Sequence, residues 1–90
     1  DPLAHYGLGC ALMELDRVDD ALPLLARSVA LQPTHTPSHL AYSQALVKAN
    51  QPAEAAIAAG IALARQKGDL MPLKALEQLQ QAQQTANQAV

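Results

Sequence analysis

Leucine and alanine set the rhythm of the chain. From Leu8 through Ala11 and Leu12 to Leu15, apolar residues recur every three or four positions, which is the spacing of one face of an α-helix. Ala21, Leu22, Leu25 and Val29 repeat that spacing. Leu40, Tyr42, Leu46 and Val47 are the large apolar residues of a third block. A fourth, from Ala53 to Ala64, is nearly all small, and Leu73, Leu76 and Leu79 make a last narrow stripe. Polar or proline-bearing breaks separate the blocks. The pattern predicts five helices, over about residues 2–15, 18–31, 37–49, 52–67 and 70–84, with Leu8, Ala11, Leu12 and Leu15 as the apolar stripe of the first.

The breaks carry their own chemistry. Asp1-Pro2 reads as an N-cap followed by proline at the first helical position, and Thr36-Pro37 repeats the device. Asp16-Arg17 ends the first helix. Asp19 and Asp20 suit the positive end of the second, and Pro33 biases Gln32 out of helical geometry. Pro23 lies past the first turn, so a bend or an irregular start is expected there. Asn50-Gln51-Pro52 opens the fourth helix, which Arg65, Lys67 and Gly68 close. Gly60 weakens that helix unless a neighbouring backbone must approach it closely. After Gln84 the apolar spacing stops, and residues 85–90 are expected to fray.

A shift of 34 residues lays His5 on His39, Ala11 on Ala45, Leu12 on Leu46, Ala21 on Ala55 and Val29 on Leu63. A fixed period of that size marks stacked units, none of which buries its apolar face alone. The domain is then residues 1–84: one unit over about 2–35, a second over about 36–69, and a capping helix over about 70–84. Breaks of two to five residues leave no room for a crossover, so neighbouring helices must run antiparallel. Such a chain offers a surface rather than a reaction.

Composition narrows the partners of that surface. Ninety residues make one small domain, half of them hydrophobic, with no Trp or Phe and two tyrosines. That balance favours helix over strand. With a net charge of −2 and no basic run, phosphate-led nucleic-acid binding and a polybasic membrane patch are both disfavoured. No apolar run reaches the ~18 residues that mark a spanning helix. Cys10 is the single cysteine, which rules out an internal disulfide and leaves the compartment open, a reducing one favoured. The chain opens at Asp1 without Met and reads as a piece of something longer, with further repeats expected before it.

The first unit resembles the tetratricopeptide repeat, a helix–turn–helix unit of the same period. The family signature places a large residue at His5, Leu-Gly at Leu8-Gly9, an aromatic at Leu12, Ala at Ala21, an aromatic at Leu25, a small residue at Ser28 and Pro at Pro33. His39, Tyr42, Ser43, Leu46, Ala55, Ala59 and Ala62 hold the matching places of the second unit, with Lys67 where the proline would stand. The aromatic positions have lost their aromatics. The resemblance covers roughly residues 2–69 and implies an all-α, right-handed superhelical solenoid of antiparallel helix hairpins, five helices in all.

It also implies a site. In the family the first helix of each unit lines a concave groove that takes partner peptides, and the matching residues are Leu3, Tyr6, Cys10, Met13 and Glu14, then Pro37, Leu40, Gln44, Val47 and Lys48. Tyr6 would be the one aromatic anchor, and Met13 an adaptable contact. The lysine and asparagine with which the best-known members grip a C-terminal carboxylate are replaced by Tyr6 and Cys10, so that clamp is missing.

Three functions are weighed on these residues. The first is a non-enzymatic interaction module whose groove takes an apolar or amphipathic segment. The second is a stacking fragment that pairs, as a homo-oligomer or with a neighbouring domain, through the uncovered first helix. An enzyme is the third, and no phosphate-cradling loop, paired nucleophile and base, or metal-spaced cluster supports it; no cofactor is expected. His5 and His39 recur because the unit recurs, and read as packing residues rather than metal ligands. His35 reads as a solvated loop residue, and Cys10 as a half-buried apolar one. Asp16, Asp19 and Asp20 read as helix-start chemistry, and the glutamines from Gln78 to Gln88 as a solvated face grading into the tail.

Overall fold

The computed structural model describes residues 1–88 as five helices: α1 Pro2–Glu14, α2 Val18–Leu31, α3 Thr36–Lys48, α4 Glu54–Lys67 and α5 Leu70–Gln88. Consecutive helices pack as antiparallel neighbours. In addition α1 touches α3 and α3 touches α5, whereas α2 and α4 do not meet. The result is a two-layer slab with α1, α3 and α5 side by side in one layer and α2 and α4 in the other. It is an all-α solenoid of helix hairpins.

The 34-residue period is written into the backbone. The inner helices begin at Pro2, Thr36 and Leu70, each 34 residues after the last. Asp16 and Asn50, also 34 apart, both adopt the left-handed conformation, at φ 61° and 57°. Asp and Asn visit that region at lower cost than other side-chain-bearing residues, and they turn the chain out of α1 and α3. The next amides, Arg17 and Gln51, reach back five residues to the carbonyls of Leu12 and Leu46, closing the helix ends in the same way. Gly68, at φ 72°, does the same for α4.

One more period brings the chain to Gln84, a poor left-handed residue, and no turn forms there. Helix α5 therefore runs on to Gln88 instead of ending at Gln84; residues 89 and 90 lie outside the described residues. Two positions of the period set α5 apart from the other inner helices. Gly9 and Ser43 are buried between the two helices of their own units, and Leu12 and Leu46 pack beside them. The matching residues of α5 are Glu77 and Gln80. Glu77 is exposed and ion-paired to Arg65 at 3.2 Å, a poor surface for another apolar helix.

Two apolar clusters form the core. Ala21, Leu25, Ala41 and Ala45 fill the first; Leu46, Ala53, Ile57, Ile61 and Leu76 fill the second. Leu22 and Tyr42 touch both and make them continuous. Small residues let the helices approach: Gly9 receives Leu25, and Gly60 receives Leu76 and the Cβ of His39. The Ser28 and Ser38 hydroxyls, 2.7 Å apart, join α2 to α3, and the buried Ser43 hydroxyl donates to the carbonyl of His39.

The stripe expected on α1 is corrected. Leu8, Ala11 and Leu15 are exposed, and only Leu12 turns half inward. On α3 the same register holds Tyr42, Ala45 and Ala49, and on α5 Leu76, Leu79 and Gln83; those faces pack against α2 and α4. In the described chain no helix stands on that side of α1. Two lesser expectations also change. Helix α2 runs unbroken through Pro23, which is exposed along with Asp19, so water can serve the carbonyl that loses its helical bond. Thr36 is not a cap: it is the first residue of α3, and its buried hydroxyl donates to Asp69 Oδ2 at 2.8 Å.

Candidate functional site

The three inner helices enclose an open groove of about 390 Å³ toward their N-terminal ends. Helix α1 gives Tyr6 and Cys10, one turn apart; α3 gives Pro37, Leu40, Ala41 and Gln44. Helix α5 forms the third wall with Met71, Pro72 and Ala75. None of the nine residues is charged. The groove is apolar over most of its surface, with the Gln44 amide and the Tyr6 phenol as its side-chain hydrogen-bonding groups apart from the Cys10 thiol.

Tyr6 is held from two sides. Its ring stands edge-on to His35, with centroids 5.0 Å apart and planes at 85°. Burial, and then the Cys10 thiol beside it, raise its phenol above the usual tyrosine value, so it stays protonated and able to donate. His35 is accordingly not the solvated loop residue the sequence suggested. It is half-buried at the start of α3, and its Nδ1 hydrogen-bonds the Ser38 hydroxyl. Burial, then the charge of Lys67, then His39, lower its pKa from the usual histidine value. His39 packs between helices as expected, its Nε2 paired with the carbonyl of Pro33 at 2.8 Å. The matching His5 is half-buried, and its Nδ1 is buried without a partner among the described residues.

Of the ten groove residues expected from sequence, five line this concavity: Tyr6, Cys10, Pro37, Leu40 and Gln44. The others lie elsewhere. Leu3 is exposed at the start of α1, and Glu14 is exposed at its end. Met13 packs against the first core cluster. Val47 packs against the second and borders a separate, more polar concavity with Asn50, Gln51, Pro52, Gln83, Ala86 and Asn87. Lys48 Nζ lies 2.7 Å from Asp16 Oδ1, so it ties α3 to the turn after α1 and holds that carboxyl below its usual pKa.

Sequence reasoning missed the wall from α5. The signal was present, because one period carries Pro37 to Met71 and Ala41 to Ala75. Treating the last helix as a cap alone hid it. Met71 is 84% exposed at the groove's lip, far more than a methionine serving only to cover a neighbour would be.

A second cleft, of about 270 Å³, lies between α4 and the end of α5, lined by Glu54, Ile57, Ala58 and the amides of Gln80, Gln83, Gln84 and Asn87. It brings together no set of groups with evident chemistry. Among the described residues no three His, Cys, Asp or Glu side chains gather as a metal site would need, and no helix is long and apolar enough to cross a membrane.

Comparison with known families gives one finding. A model described as the tetratricopeptide repeat matches residues 12–70, from the last turn of α1 to the first residue of α5. Neither the curated proteins nor the solved structures compared with the chain yield a match.

Proposed function

This chain belongs to the tetratricopeptide repeat family, and from that membership we propose that it is a non-enzymatic module that binds a protein segment in the groove formed by α1, α3 and α5. Repeats of this family generally mediate protein–protein interaction and are typically scaffolds rather than enzymes. The observation that carries the reading is the groove itself: an open, uncharged concavity whose walls come from the first helix of each unit and from the helix that continues their period. Apolar surface left open in that position gains most by covering a partner's apolar surface.

The test pairs capture with folding. Wild-type chain and the Tyr6→Ala, Leu40→Ala double variant are used as bait, with helicity followed by circular dichroism. Partners held by the wild type are expected to be lost from the variant. Gln44→Arg, at an exposed position, repeats the test without touching the core. Unchanged capture by both folded variants would overturn the reading.

A second reading has its own observation. The outer face of α1, with Ala4, Leu8, Ala11 and Leu15 exposed, matches the faces of α3 and α5 that lie covered, so it is shaped to receive a helix. Self-association through it is read by light scattering across a concentration series. A strictly monomeric chain at high concentration counts against that stacking role.

A further inference from the structure

We propose, resting on the groove reading above, that the occupant of the groove is the apolar face of an amphipathic α-helix from a partner protein, and not an extended peptide. The argument is an inventory of hydrogen bonds. An extended segment carries an unpaired N–H and C=O at nearly every residue, and these must find partners when water is displaced. Beyond the first-turn N–H groups at their N-terminal ends, the groove's walls are three helices whose own backbone groups are spent internally, and the described residues contain no strand edge to which a peptide could add. Among the side chains, Pro37, Leu40 and Pro72 offer no donor or acceptor, and Met71 offers only a weakly accepting thioether.

That leaves Gln44 and Tyr6, and the Tyr6 phenol already faces the Cys10 thiol. Two side chains cannot serve the backbone of an extended segment long enough to fill a groove of about 390 Å³. A helix satisfies its backbone within itself and presents only side chains. It therefore docks on an uncharged apolar groove without stranding polar groups.

Charge fixes the rest of its chemistry. With no cation among the nine lining residues, neither a terminal carboxylate nor an acidic stretch is matched on the floor. Lys74 lies on the same face of α5, one turn beyond Met71, and makes no ion pair among the described residues. The fitting helix is apolar on its docking side and carries an acidic residue on the flank beside Lys74.

Two display libraries of equal size decide it. In one, apolar positions are randomised along one face of an alanine-rich helix; in the other they alternate along a proline-punctuated extended segment. The best binders of each are titrated into the isotopically labelled full chain, following the backbone amides of Tyr6, Leu40, Gln44 and Met71 by NMR. Helical binders are expected to be at least ~10-fold tighter and to shift the groove amides. Met71→Glu should abolish the shifts, and Lys74→Glu should weaken binders with acidic flanks. Extended or proline-rich binders that match or exceed the helices in the groove would overturn the helical occupant and leave the groove standing. If neither library moves the groove amides, both this inference and the reading beneath it fail.

Discussion

The backbone of Gly9 is packed directly beneath the side chain of Leu25. A Cβ built on Gly9 would lie 2.7 Å from both Cγ and Cδ2 of Leu25, which is fully buried and has nowhere to retreat. Gly7, two residues earlier on the same helix, has nothing within 4 Å of the equivalent point. The two glycines therefore predict opposite outcomes. Gly7→Ala gains helix propensity and should stabilise the chain by about 0.5–1 kcal/mol. Gly9→Ala gains the same propensity but overpacks the core, and should cost a net ~1–2 kcal/mol. Denaturation midpoints of the two variants check the pair, and equal shifts would show that Gly9 is not a packing glycine.

This contact shows what the sequence made legible. Leu8-Gly9 has its counterpart in Tyr42-Ser43 one period on, so the period and the helix order could be read from spacing, and the family from its resemblance in the residues at those positions. Small residues at fixed intervals are a one-dimensional record of close helix approach. The lining of the candidate groove was half legible for the same reason: Tyr6, Cys10, Pro37, Leu40 and Gln44 fall where the period puts them. What stayed hidden depended on which helix stands beside which. Leu8, Ala11 and Leu15 have the spacing of a buried face, yet spacing does not say whether a neighbour covers it. His35 looked like a loop residue because only the folded chain sets Tyr6 and Ser38 against it. The end of α5 depended on a missing turn residue, a weaker signal than a present one.

Stability should fall on mild acidification, and His35 is the reason. Around it stand Tyr6 from α1, Ser38 and His39 from α3 and Lys67 from α4. Burial first, then the positive charge of Lys67, lowers its pKa in the folded chain. Below the ordinary histidine value of about 6.5 the unfolded chain takes up a proton that the folded chain resists. The stability linked to His35 is thus complete above that pH, and it is lost as the pH falls from there through the lower folded value. Urea titrations between pH 7.5 and about 5 should show the decline, and His35→Gln should flatten it. An identical slope in both chains would remove His35 as the cause. Asp16, lowered by Lys48, acts in a separate and more acidic window, losing its contribution as the pH falls below about 3.9.

The two loops at one edge of the slab are fastened to each other. Thr36 Oγ1 donates to Asp69 Oδ2 at 2.8 Å, and Lys67 Nζ donates to the carbonyl of Thr34 at 2.7 Å while lying 3.7 Å from Asp69. Thr36 is fully buried, so its hydroxyl has no water to replace the carboxylate. Thr36→Val keeps the shape and removes the donor, and should cost about 1–2 kcal/mol, in the range for hydrogen bonds to charged groups after allowing for Asp69's partial exposure. Combining it with Asp69→Ala in a double-mutant cycle should give a coupling energy of at least ~0.5 kcal/mol. Additive losses would show that the bond is incidental.

Leu8 and Leu76 occupy the same place in the period, two units apart, and differ only in what covers them. Leu76 is fully buried against Gly60 of α4; Leu8 is 54% exposed, because no helix in the described chain stands on the outer side of α1. Truncation should separate them cleanly. Leu76→Ala removes a buried side chain from the second core cluster and should cost about 2–5 kcal/mol. Leu8→Ala, measured on the dilute monomer, should cost under ~0.5 kcal/mol, as surface changes do. If the outer face of α1 also pairs with another copy, Leu8→Lys with Leu15→Lys should abolish the concentration-dependent mass seen by light scattering and leave the dilute chain's unfolding midpoint in place. A large loss for Leu8→Ala in the monomer would mean that this face is already covered, and the stacking reading would fall with it.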